Sequence, residues 1–135
     1  MGIIGQKRAV NLYFYSLHSL FFTLGLTGYI KENSGIFIVY MLLGTPVFFI
    51  LYYTYLNRFS SKLKSKQKWL FDKNAYSNPL APNRNWWVDP FTFFDKNAYP
   101  GLLEELVLEK ELSKRCLTYT FISFGLMVLL GIVAL

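Results

Sequence analysis

Three stretches of this chain, residues 9–30, 36–56 and 116–135, contain no Asp, Glu, Lys or Arg. A helix rises about 1.5 Å per residue, so about twenty residues cover the roughly 30 Å of a bilayer's hydrocarbon core. Uncharged apolar runs of that length constrain the chain more than any other feature, because a water-soluble fold of 135 residues has no interior able to hide three of them. Composition agrees. Hydrophobic residues make up 53% and charged residues 16%, against about 25% charge in soluble domains. A soluble enzyme, a disordered chain and a disulfide-stapled secreted module are thereby excluded, the last also because Cys116 is the single cysteine.

The expectation is an all-α membrane protein with three transmembrane helices: an N-terminal helical hairpin and a C-terminal helix, joined by an extended polar loop rich in Pro and aromatic residues. Residues 1–57 form the hairpin, with spans at about 9–30 and 36–56 and the polar turn 31–35 between them. Residues 58–100 form a basic juxtamembrane helix and an extended strap, and residues 101–135 a helix that enters the third span at about 116. Lys7 and Arg8 before an apolar run imitate a secretory signal, but the run exceeds a signal core of about 7–15 residues and no A-x-A pattern follows, so it reads as an uncleaved span. Gln6 stands where a myristoylation motif needs Ser or Thr.

Cations set the orientation. Lys7 and Arg8 precede the first span; Arg58, Lys62, Lys64, Lys66 and Lys68 follow the second; Lys114 and Arg115 precede the third. All fall on one side, and the other side has Lys31 beside Glu32. The N-terminus and the 58–115 loop are therefore expected inside (cytoplasm, matrix or stroma) and the C-terminus outside. Within 58–115, eleven cations face seven acids, a surplus of four that suits anionic lipid better than nucleic acid.

The spans carry few polar groups. His18 has no second His or Cys at ligand spacing, so it reads as a neutral packing residue bonded to a neighbouring helix rather than a metal or haem ligand. Ser19, Thr23 and Thr27 recur every four residues and form one helix stripe, read as a packing face with a pore lining as the alternative. Pro46 lacks the N–H that would bond the carbonyl of Leu42, and its ring crowds that carbonyl, so a bend is expected there.

Residues 57–71 read as an amphipathic continuation of the second helix, with Phe59, Leu63 and Leu70 on one face. Arg58, Lys62, Lys64, Lys66 and Lys68, anchored by Trp69, are candidate contacts to an anionic phospholipid such as cardiolipin. From 72 to 100, prolines, asparagines and the rings of Trp86, Trp87, Phe91, Phe93, Phe94 and Tyr99 replace helix-forming residues. Disordered segments are poor in aromatics, and a strap this short has no core of its own, so these six are candidate partner-binding residues. The hexapeptide FDKNAY occurs twice, at 71–76 and 94–99, and reads as one turn used twice.

No Cys/His pair, phosphate loop or Ser with a base stands out, so neither enzyme activity, a small-molecule substrate nor a cofactor beyond bound lipid is expected. The function expected is a structural accessory subunit of a large membrane complex, specifically a respiratory-chain complex of the mitochondrial inner membrane. The alternative is a small homo-oligomeric channel or carrier. Other subunits and anionic lipids are the expected partners, and nucleic acid is not.

Overall fold

The computed structural model describes residues 2–77 and 85–134, and the side chains of Ser34, Val133 and Ala134 are left aside. The middle of the expected strap, with Pro79 and Pro82, lies outside the described residues. The described chain is all-helical and contains no strand. Its helices are α1 (Ile3–Leu26), α2 (Tyr29–Glu32), α3 (Ser34–Leu43), α4 (Thr45–Lys66), α5 (Lys68–Asn74) and α6 (Glu104–Ala134), with one 3₁₀ turn at Pro90–Phe94. Two helical segments, Gly35–Lys66 and Glu104–Ile132, are long and apolar enough to cross a bilayer, and less than a third of each apolar window is buried. The 24-residue α1 is not among them: Asn11, His18 and several hydroxyls dilute its apolar surface.

Two compact units divide the chain. The first comprises residues 1–50 and 116–135. Its α1 buries Val10, Phe14, Leu17, His18 and Phe21, one face at helical spacing. Phe14 stacks on Tyr119 with ring centroids 3.8 Å apart and planes at 10°, and Tyr40 and Phe48 complete the interior. The hairpin turn comes earlier than charge placement suggested. Gly28 adopts φ +76°, a left-handed conformation that costs glycine little, and its N–H bonds the Gly25 carbonyl, ending α1 before the single turn of α2.

The expected bend at Pro46 takes the form of a break. α3 ends at Leu43, Gly44 sits at φ −84° and ψ −104°, and α4 restarts at Thr45 with Pro46 in its first turn, where a missing N–H costs nothing. Breaking the ladder frees carbonyls, and the Tyr13 hydroxyl donates to that of Leu43 at 2.6 Å.

The second unit is Leu51–Arg115. α4 presents Tyr52, Leu56, Phe59, Ser60 and Leu63 inward, and Leu70, Phe71, Val88, Phe93, Tyr99, Leu106 and Leu112 close over them. Gln67 breaks the expected continuous juxtamembrane helix (φ −139°, ψ 65°). Its side chain then joins the unit: Nε2 donates to the Gly101 carbonyl at 2.9 Å and Oε1 accepts from the Leu103 N–H at 3.2 Å. The strap is pinned by the Ala75–Val88 bridge and by Ser60 Oγ, which accepts the buried Val88 N–H at 3.1 Å.

Candidate functional site

The cationic stripe of α4 resolves into two sets. Arg58, Lys62 and Lys66 are spaced four residues apart, as are Glu105 and Glu109 on α6, and within the second unit the stripes face each other in opposite directions. Arg58 Nε lies 3.1 Å from Glu109 Oε1, Lys62 Nζ bonds the same oxygen, and Lys66 Nζ meets Glu105 Oε1 at 2.6 Å. The Glu109 side chain is 4% exposed and those of Arg58 and Lys62 43% and 41%, so a buried carboxylate anchors two half-exposed cations. Three of the six candidate lipid contacts thus spend charge internally. Lys64 sits over the Phe71 ring, 5.3 Å from its centroid, Lys68 is exposed, and Trp69 is 58% exposed.

The six candidate partner residues also divide. Trp86, Phe91 and Phe94 are exposed and Trp87 is half-buried. Phe93 and Tyr99 are buried within the chain itself, which corrects the expectation that the strap's rings have no interior. The strap alone builds no core, but α4 and α6 supply Phe59, Leu63, Leu106 and Leu112 for it to close upon; Phe59 meets Phe93 and Tyr99 edge-on at 5.6 and 5.7 Å. The Thr92 hydroxyl donates its one proton to the Asp89 carbonyl at 2.6 Å, so Tyr99 donates to Thr92 Oγ1, also at 2.6 Å. Burial pushes the Tyr99 phenol up to about 12, and the Asp89 carboxylate adds to that. Lys110 stands 4.8 Å above the Tyr99 ring, and burial lowers its pKa despite nearby Glu111 and Asp95.

The two hexapeptides differ. In the first copy Phe71 and Asn74 are buried at the end of α5, and Asn74 Nδ2 donates to the carbonyls of Leu70 (2.9 Å) and Ala98 (2.8 Å). In the second, Phe94 and Asn97 are exposed, and Asp95 Oδ1 accepts the Asn97 N–H at 2.8 Å in an Asx turn. One copy therefore binds the other, and the shared sequence does not encode a shared turn.

A groove of about 430 Å³ lies along one stripe of α4, lined by Tyr53, Asn57, Ser61 and Lys64 and walled by Trp86 and Trp87. The Tyr53 and Trp87 rings meet at 65° with centroids 5.0 Å apart, and Trp86 meets Trp87 at 79° and 6.0 Å.

In the first unit His18 is engaged at both nitrogens. The Phe14 carbonyl, 2.7 Å from Nδ1, can only accept, so Nδ1 carries the proton. In the neutral ring Nε2 then accepts from the Ser123 hydroxyl at 2.9 Å. No ring lone pair is left for a ligand. A half-open cavity of about 320 Å³ beside it is lined chiefly by Phe22, Leu26, Leu129 and Leu130. Thr23 Oγ1 donates to the Ser19 carbonyl and Thr27 Oγ1 to that of Leu24, so these hydroxyls turn back onto their own helix. Tyr119 donates to Asn11 Oδ1 at 3.0 Å. Among the described residues no three His, Cys, Asp or Glu side chains cluster as metal ligands.

Two signals went unread in the sequence. The four-residue spacing shared by 58/62/66 and 105/109 is the mark of facing helices, and Gln67 between two helices is a polar residue with both a donor and an acceptor at a joint. No protein-family model, curated protein or solved structure matches the chain.

Proposed function

We propose that the chain is an accessory subunit of a large membrane complex, crossing the bilayer three times and presenting the strap to neighbouring subunits on the inside face. The observation that carries this reading is the 3₁₀ turn Pro90–Phe94. Asp89 Oδ1 caps it by accepting the Phe91 N–H at 2.9 Å, and it turns Phe93 into the unit while holding Phe91 (75% exposed) and Phe94 outward. A hydrogen-bonded turn that displays two large rings on the polar side of a membrane chain suits a partner's pocket. That α1 also crosses is supported by where its larger polar groups go: Asn11, Tyr13 and His18 are all bonded to other segments of the first unit. The cations that remain exposed favour the inside face for residues 58–115.

A respiratory-chain complex of the mitochondrial inner membrane is the assembly to examine first, with anionic phospholipid around Lys68 and Trp69. Enzyme activity and a bound cofactor form no part of this reading. Of the hydroxyl stripe that the channel alternative would use, Thr23 and Thr27 donate to their own backbone.

The test is native electrophoresis of gently solubilised membranes with the Phe91→Ser/Phe94→Ser double variant. The parent chain is expected to comigrate with a megadalton-scale assembly and the variant to leave it, with helical content unchanged. Comigration of the variant at parental yield, or a parent that runs as a small homo-oligomer, refutes the proposal.

A further inference from the structure

We propose that the α4 groove is a headgroup site for phosphocholine, the zwitterionic end of phosphatidylcholine; this rests on the membrane reading above and departs from the anionic lipid expected from charge alone. Glu105 and Glu109 take Lys66, Arg58 and Lys62 to one side of α4. Tyr53, Asn57, Ser61 and Lys64 form a separate stripe of the same helix. Among the described residues that line the groove there is a single cation and no carboxylate, with Ser61 and Asn57 as hydrogen-bond donors. That set matches one phosphodiester, whose single negative charge Lys64 balances.

The groove's other wall has no use for a phosphate. Tyr53, Trp87 and Trp86 meet at steep angles, 65° and 79°, and so make a corner of aromatic faces and edges. A corner of rings attracts a quaternary ammonium, whose charge is spread over methyl groups and cheaply desolvated. A bare ammonium ligand would be repelled by Lys64; phosphocholine brings its own phosphate to stand between them. The groove also starts at Tyr53, within the apolar helical segment, and ends at Lys64, beyond its last uncharged turn, which is the depth at which a headgroup sits.

Trp69→Phe leaves Trp86 and Trp87 as the reporting indoles. Full-length chain carrying that change, in maltoside micelles free of choline, is titrated with phosphocholine, inorganic phosphate, choline and a short-chain phosphatidylcholine or phosphatidylglycerol below its micelle concentration. The indole signal is expected to saturate with phosphocholine, at least tenfold tighter than with inorganic phosphate or choline. Short-chain phosphatidylcholine is expected to bind tenfold tighter again, and tighter than phosphatidylglycerol. Lys64→Gln should weaken phosphatidylcholine about fivefold, the order expected for one cation near a headgroup, with Lys64→Arg restoring it and Lys68→Gln without effect. Tyr53→Leu should reduce the preference for phosphocholine over inorganic phosphate. Equal affinity for inorganic phosphate and phosphocholine, or for phosphatidylglycerol and phosphatidylcholine, overturns the assignment in favour of a general anion site. Phosphocholine binding as tightly as its short-chain lipid overturns the lipid source. Vesicle flotation separates the two failures: a chain that floats but shows no choline preference sinks this site alone, and one that stays with the aqueous phase sinks the membrane reading with it.

Discussion

Replacing Glu109 by Gln removes one charge and leaves two cations facing an amide. The cost follows from who is buried. Arg58 and Lys62 are each more than two-fifths exposed and recover hydration when released, whereas the Glu109 carboxylate is 4% exposed and has no such recourse. A bond to a charged group contributes about 1.5–3 kcal/mol, part of which rehydrated cations recover, so Glu109→Gln is expected to cost about 1–3 kcal/mol. The reverse perturbation, Arg58→Gln with Lys62→Gln, strands the buried carboxylate and is expected to cost more, about 3–5 kcal/mol. Adding Glu109→Gln to that double variant should then restore about 2 kcal/mol, since it removes the stranded charge. The exposed Lys66–Glu105 pair sets the baseline: Glu105→Gln should cost under about 1 kcal/mol. All three tryptophans (69, 86 and 87) lie within Leu51–Arg115, so indole fluorescence during denaturant unfolding in mixed micelles reports this unit selectively. If Glu109→Gln matches Glu105→Gln, or the double cation variant is no worse than Glu109→Gln, buried-carboxylate anchoring is refuted.

The hexapeptides offer a paired test: Asn74→Ala is expected to cost about 1–3 kcal/mol by stranding buried carbonyls of Leu70 and Ala98, and Asn97→Ala under about 0.5, by the same fluorescence measurement. The Tyr99 pKa, about 12 when folded against about 10 unfolded, means the folded chain holds the proton longer. Its contribution is fully present below pH 10 and is lost as pH rises from 10 to 12, about 2–3 kcal/mol in all, and Tyr99→Phe should flatten that fall. Lys110, lowered by burial, acts in the opposite sense just below its ordinary value, so the pH series is best run in Lys110→Gln. Ser123→Ala removes the Nε2 partner of His18 and is expected to cost about 0.6–1.7 kcal/mol in thermal unfolding, while Thr23→Ala, bonded to its own helix, should change it by less than half as much.

Much of this architecture was readable one residue at a time, and the remainder was not. Charge-free runs at 36–56 and 116–135 announce apolar helices because helix length and bilayer thickness are tied, and Pro46 announces an interruption because its nitrogen has no hydrogen. The interior of Leu51–Arg115 could not be read that way. Phe93 and Phe94 are chemically identical neighbours, yet one is buried and the other exposed, and only the 3₁₀ turn capped by Asp89 decides which. The cations of α4 likewise look equivalent along the chain; partners about forty to fifty residues away divide Arg58, Lys62 and Lys66 from Lys64. Identical hexapeptides gave the plainest case. Asn74 finds Ala98 across the unit while Asn97 stays exposed, a difference made wholly by surroundings.

The hydroxyl of Tyr13 across the gap at Gly44 has a mechanical consequence. A chain interruption flanked by two stiff rods is ordinarily a joint, free to flex. Here the carbonyl that the interruption exposes is claimed by a phenol from a different helix, and in the bilayer placement proposed above no water is at hand to relieve it of that duty. Straightening or further folding at Gly44 would require Tyr13 to let go with nothing to replace it. In that placement the elbow is locked, and α1 is what locks it.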